Sequence, residues 1–101
     1  MDAIQQEELA QLAEDMGNLM QVCRQRIRSN AYEGMEEEVR KADSLNTLLT
    51  RLKRQELQRI QSHTGSIKVS MVYLTMIQEM QNLMTYTVNL LKVSRKFQTL
   101  R

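Results

Sequence analysis

Apolar residues recur at intervals of three and four along most of the chain, which is the spacing of one face of an α-helix. Three such runs predict helices over residues about 3–29, 31–64 and 66–99. Short polar segments separate the runs, so consecutive helices should lie antiparallel. The pattern therefore predicts an all-α fold, an elongated up-down-up three-helix bundle, with residues 1–101 as a single domain.

The first predicted helix has a capping box at its start, because Asp2 is followed three residues later by Gln5. Basic residues follow near its end, where cations suit the helix dipole. Its apolar face is formed by Leu9, Leu12, Met16, Leu19, Cys23 and Ile27.

The second predicted helix starts from Asn30 as N-cap, with Glu33 at the reciprocal position. Glu56 interrupts its apolar stripe, so either the helix rotates toward Leu57 or Glu56 has a polar partner. Gly65 suits the left-handed end of this helix. The stripe consists of Met35, Val39, Ala42, Leu45, Leu49 and Leu52.

The third predicted helix has the widest apolar face, which should contact both other helices and place it centrally. A core position is expected for Leu83. Three further apolar residues, Val72, Leu74 and Val93, lie off the main stripe and are candidate interface residues. The face combines two rows of residues. The first, called the row at sevens because its members are seven residues apart, is Val69, Met76, Leu83, Leu90 and Phe97. The second row is Ile77, Met84 and Leu91.

Composition agrees with a helical globular protein: there is no proline, 42% of residues are hydrophobic, and the net charge is only +2. The single cysteine excludes an internal disulfide. No apolar run approaches the about 20 residues that span a bilayer, and the acidic start does not resemble a signal peptide. We therefore expect a cytoplasmic chain.

Candidate chemistry is sparse. Cys23 lies on an apolar stripe, as a small core residue would, and His63 lies near a helix end. Glu33 and Glu37 have the spacing of paired metal ligands, but acids in the first turns of a helix commonly serve its dipole. The sequence thus predicts no enzyme activity, no cofactor and no metal.

The second half of the chain, from Asp43 to Leu91, resembles a PhoU-like helical domain, in the form found in the cytoplasmic tail of bacterial sodium/phosphate cotransporters. The order and spacing of the matching residues carry the resemblance. They are Asp43-x-x-Asn46-x-Leu48, Arg54-x-Glu56-Leu57-x-Arg59-Ile60, Gly65, Tyr73-Leu74-x-x-Ile77, Glu79-Met80, Leu83 and Asn89-Leu90-Leu91.

The resemblance implies a three-helix bundle with a role in phosphate uptake. It departs from the family where PhoU proteins often carry metal-binding carboxylates, because those positions are Gln81 and Thr85 here, with Tyr86 in place of a histidine. This departure also favours a domain without metal.

Three functional hypotheses follow. The first is a non-catalytic regulatory or interaction domain associated with sodium-dependent phosphate transport, at the cytoplasmic face of the inner membrane. Its partner would be a membrane transporter, either a separate protein or the rest of the parent chain to which this domain belongs. A second copy in a homodimer is the other partner expected. The second is a generic helical dimerisation or assembly module. The third, a nucleic-acid binder using Arg24–Arg28 and Arg51–Arg59, is disfavoured because aromatic residues are not interleaved with the cations.

Overall fold

In a computed structural model, which describes residues 1–100, the chain is 86% helical and forms an all-α three-helix bundle, as the sequence predicts. The helices are α1 (Ala3–Ser29), α2 (Glu36–Gln61) and α3 (Ile67–Thr99). The bundle measures 56 × 21 × 18 Å, so it is elongated along the helix axes.

The predicted capping box at the start of α1 is confirmed. The carboxylate of Asp2 accepts a hydrogen bond from the backbone N–H of Gln5 at 2.8 Å, and the Gln5 side chain accepts one from the backbone N–H of Asp2. These two bonds satisfy donors that a helix start otherwise leaves without an intrahelical partner.

The predicted start of α2 is wrong, because Asn30 ends α1 instead of capping α2. Asn30 has a φ of 53°, the left-handed conformation that asparagine tolerates better than most residues. A turn follows, in which Gly34 has a φ of 85°, and it carries the side chains of Tyr32 and Met35 into the core. The helix resumes only at Glu36.

The end of α2 also comes earlier than predicted, at Gln61. His63 adopts a φ of 55° two residues later, and Gly65 adopts a φ of 79°. Ser66 is the N-cap of α3, since its hydroxyl accepts a hydrogen bond from the backbone N–H of Val69.

Two apolar clusters form the core, and each draws on all three helices. Apolar side chains this deeply buried each contribute about 1.5–3 kcal/mol through removal from water. One cluster contains Leu9, Leu12, Leu49, Leu52, Tyr73 and Ile77. The other contains Met16, Leu19, Cys23, Tyr32, Met35, Ala42, Met84 and Leu91.

The prediction for α3 is half right. Ile77, Met84 and Leu91, the second apolar row, are at most 2% exposed. Leu83 and the rest of the row spaced at sevens are not core residues: Leu83 is 45% exposed and Met76 is 42% exposed. Because α3 has only two neighbours in the chain, α1 and α2, they cover one side of it and leave this row toward solvent.

Polar contacts at both ends of the bundle confirm the up-down-up order. At one end, Glu56 of α2 accepts hydrogen bonds from Gln5 of α1 at 2.7 Å and from the Ser70 hydroxyl of α3 at 2.5 Å. At the other end, the Gln98 side chain of α3 donates to the Asn30 carbonyl. Glu56 therefore has polar partners, which was one of the two alternatives that the sequence left open.

Candidate interaction surface

An apolar stripe, interrupted at Glu79, runs along the solvent side of α3. Its residues follow the first and fourth positions of a seven-residue repeat, the spacing by which one helix packs along another. Glu79 is the polar exception within the repeat. We call this surface the α3 seam; it consists of Val69, Val72, Met76, Leu83, Tyr86, Leu90, Val93 and Leu100, each between 38% and 81% exposed.

The α3 seam is held in place by the core directly beneath it. Ile77 and Met84 each follow a seam residue by one position, about 100° around the helix, and both are buried against α1 and α2. The rotation of α3 about its axis is therefore fixed by the buried row. As a result, the exposed row stays on one face over about 45 Å of helix.

Beside the α3 seam, α1 and α3 enclose an open groove of about 440 Å³, which we call the α1–α3 groove. A methyl group built on Gly17 would meet no atom within 4 Å, so the α1 wall is open at this point. The lining is almost entirely apolar; its residues are Leu9, Ala13, Met16, Gly17, Met20, Thr75, Met76, Glu79, Met80 and Leu83.

The charged groups around this surface are distributed unevenly. Glu79 has no ion pair or hydrogen bond from its side chain within residues 1–100, and neither do Lys92 and Lys96 near the end of α3. Arg95 lies 3.5 Å from Glu36, but both side chains are well exposed, so this pair contributes little. The C-terminal end of α3 is therefore basic and its middle carries one acid.

The three candidate interface residues do not share one face. Val72 and Val93 lie on the α3 seam, 58% and 63% exposed, and are separated by three seven-residue repeats. Leu74 is only two positions from Val72, which is about 200° around a helix, and it is half-buried. The structure thus places Val72 and Val93 on the same face of α3, about 30 Å apart along the helix, and Leu74 on another face.

Sequence reasoning missed most of the α3 seam because it assigned the row at sevens to the core. Both rows of α3 have helical spacing, and spacing alone does not tell which one faces the neighbouring helices. One signal was present: four of the five residues in the row spaced seven apart are followed three positions later by another apolar or aromatic residue. These are Val72, Tyr86, Val93 and Leu100, with Glu79 as the exception, so the two rows together form a heptad stripe.

A second buried polar contact fixes the other end of the bundle. Glu38, 4% exposed, forms an ion pair with Arg26 of α1. The Arg26 guanidinium also donates to the carbonyls of Ala31 at 3.0 Å and Glu33 at 2.8 Å, so it ties the connecting turn to α1. The arrangement satisfies a buried carboxylate and two turn carbonyls with one side chain.

The remaining candidate residues lie apart from one another. Cys23 is buried in the core, as predicted, and His63 is exposed in the turn after α2. Gln81 donates a hydrogen bond to the Thr50 hydroxyl at 3.0 Å and so bridges α3 to α2. Within residues 1–100, no three side chains among histidine, cysteine, aspartate and glutamate are grouped to hold a metal ion. None of the described helices is both long and apolar enough to cross a membrane.

Burial raises the pKa of the Cys23 thiol, and the nearby Glu38 carboxylate raises it further. Since the thiolate is the reactive form, we expect Cys23 in the native chain to react with a disulfide reagent at least about 100-fold more slowly than in the denatured chain. The rate of this reaction is measured at pH 8 from the absorbance of the thiol that the reagent releases. A Cys23→Ser/Ser29→Cys variant, with its thiol at an exposed position, is the control and should react rapidly without denaturant. Fast reaction of native Cys23 would contradict its buried position.

Together these features define a three-helix bundle with a fixed apolar face along its last helix. Comparison of the chain with protein-family models, with curated proteins and with solved structures finds no match.

Proposed function

We propose that this chain is a non-catalytic regulatory and interaction domain that acts by packing its helices against a partner, in association with sodium-dependent phosphate transport. The observation that carries the interaction role is the α3 seam. Monomeric proteins rarely expose apolar patches larger than about 300–600 Å². At about 100 Å² for each large apolar side chain, eight residues offer roughly 800 Å².

The link to phosphate transport is supported by a resemblance: the segment from Asp43 to Leu91 is similar to the PhoU-like tail of bacterial sodium/phosphate cotransporters. In that setting the domain would lie at the cytoplasmic face of the inner membrane, beside a transporter or the rest of its own parent chain. The α3 seam and the α1–α3 groove would then present the packing surface, and the polar contacts at Glu56 and Glu38 would keep the bundle rigid behind it.

A generic helical assembly module, unrelated to phosphate, is the second candidate. The α3 seam favours it equally, because a heptad stripe indicates helix packing without indicating the physiological process. Transport measurements separate the two candidates.

The proposal predicts that deleting the chain from its parent gene changes sodium-dependent uptake of labelled phosphate, or the response of uptake to external phosphate. Complementation with the native chain should restore both. A Leu83→Asp variant should fail to restore them, because it places a charge on the α3 seam, whereas Leu57→Asp should succeed. Leu57 is the matched control, since it is 46% exposed against 45% for Leu83 but lies on α2.

Unchanged uptake and unchanged regulation after deletion would refute the transport role. Equal failure of the Leu83 and Leu57 variants, with both proteins folded by circular dichroism, would refute the assignment of the role to the α3 seam.

A further inference from the structure

We infer that the α3 seam is the interface of a homodimer in which the α3 helices of two copies pack antiparallel. The inference rests on the proposed helix-packing role of the seam and not on its link to phosphate. Three properties of the surface point to a second copy: its area, its self-complementarity in one register, and its charges.

The area matches what a stable pair of proteins needs. A standard-size interface buries about 800 Å² on each partner. The α3 seam alone offers roughly that amount of apolar side chain. The α1–α3 groove opens next to the seam, so Ala13 and Gly17, the small α1 residues that line it, lie at the edge of the same interface and allow close approach of a second bundle.

The seam is complementary to itself when two copies run antiparallel. With full overlap of the two helices, Val69 faces the partner's Leu100, and Met76 faces the partner's Val93. Leu83 faces the partner's Tyr86 next to the two-fold axis. First positions of the repeat then meet fourth positions at every level, which is how antiparallel helices interlock. Each of these three levels joins apolar or aromatic side chains of the seam.

Glu79 selects the antiparallel orientation. In a parallel pair, Glu79 would face the partner's Glu79 at the same level, with two like charges inside an apolar interface. In the antiparallel pair it faces the partner's Leu90, and the two carboxylates are about 16 Å apart along the helix axis. A single polar residue in a heptad stripe commonly sets orientation and register in this way.

The acidic residues of α1 agree with this orientation, whereas the exposed Lys68 at the start of α3 opposes it. A parallel pair would bring Lys92 and Lys96 of both copies to the same end of the dimer. Antiparallel packing moves this basic end toward the start of the partner's α1, because α1 and α3 of one bundle run in the same direction. That part of α1 carries Glu7 and Glu14, which are exposed and have no ion pair within residues 1–100. Such complementarity favours one orientation over the other.

Sedimentation velocity of the whole chain tests the dimer. At about 100 µM protein we expect a dimer that persists in about 1 M sodium chloride, because screening weakens exposed ion pairs far more than apolar contacts. Leu83→Asp should weaken association at least about 100-fold by burying an unpaired charge at the two-fold axis, and Leu57→Asp should leave it unchanged. Glu79→Leu should strengthen association at least about tenfold, a gain that a misfolded protein does not produce.

Electron spin labels on single cysteines in a Cys23→Ser background test the orientation. Antiparallel packing places labels at Lys68→Cys about 50 Å apart along the axis, and labels at Asn82→Cys within about 10 Å along it. Short distances at both sites would indicate a parallel pair and overturn the inference. A native chain that remains monomeric at about 100 µM, or a dimer that Leu83→Asp leaves intact, would overturn it as well. Neither result would contradict the proposed transport role, which is tested separately by measuring phosphate uptake.

Discussion

An Ile77→Ala variant should lose about 2–5 kcal/mol of unfolding free energy, whereas Leu83→Ala should lose less than about 1 kcal/mol. Ile77 is fully buried between α1 and α2, so its truncation leaves a cavity that the surrounding side chains cannot fill. Leu83 is nearly half exposed, and solvent takes the place of the removed atoms. Urea denaturation, performed at protein concentrations below those of self-association, measures both values.

The comparison isolates the rotation of α3 about its axis, since the two residues lie on different rows of one helix. Similar losses for Ile77→Ala and Leu83→Ala would mean that both rows are buried in the monomer. A larger loss for Leu83→Ala would mean that α3 is rotated by about 100° from the position described.

An Arg26→Ala variant is expected to be destabilised by about 3–5 kcal/mol, which is the usual cost of leaving one member of a buried ion pair without its partner. Glu38 would be left without its guanidinium partner in a site that is 4% exposed, and the carbonyls of Ala31 and Glu33 would lose their donor. Thermal and urea denaturation followed by circular dichroism measure the loss.

Two controls separate the charge from the packing. Arg28→Ala, at an exposed position two residues along the same helix, should change stability by less than about 0.5 kcal/mol. Adding Glu38→Leu to Arg26→Ala should recover part of the lost stability, because the unpaired carboxylate is then removed. A double variant less stable than Arg26→Ala would show that Glu38 contributes through other contacts.

Much of the fold follows from local signals that act over a few residues. Asp2 and Gln5 form their capping box with backbone groups one turn away, and Ser66 caps α3 in the same way. The apolar stripes of α1 and α2 are each narrow enough to define one buried face. For α1 and α2 the spacing of apolar residues was sufficient to identify the buried face, because each helix has only one apolar face that can pack into the core.

The turn between α1 and α2 was not predictable in the same way. Asn30 suits both an N-cap and a left-handed C-cap, and its neighbours do not decide between them. The choice depends on Arg26 and Glu38, which lie 12 positions apart and meet only in the folded bundle. Their pairing holds the turn carbonyls and allows Tyr32 and Met35 to enter the core.

The candidate interaction surface was partly visible in the sequence. Val72 and Val93 were identified as apolar residues beyond the main stripe, and the structure places both on the α3 seam. Leu74 was grouped with them because it is also apolar, although it lies about 200° around the helix from Val72. All three residues are apolar and lie outside the main stripe of α3. A binding surface also requires that its residues lie on the same face of the helix.

The three-helix architecture follows from the amino-acid sequence alone, because helical spacing, caps and the absence of proline are local properties of the chain. Which side of α3 faces inward depends instead on how the three helices pack. Ile77 and Met76 are adjacent in sequence and similar in hydrophobicity, yet one is fully buried and the other is 42% exposed. Two neighbouring helices cover only one side of a third, so the positions of α1 and α2 determine which apolar row becomes core and which remains free to bind a partner.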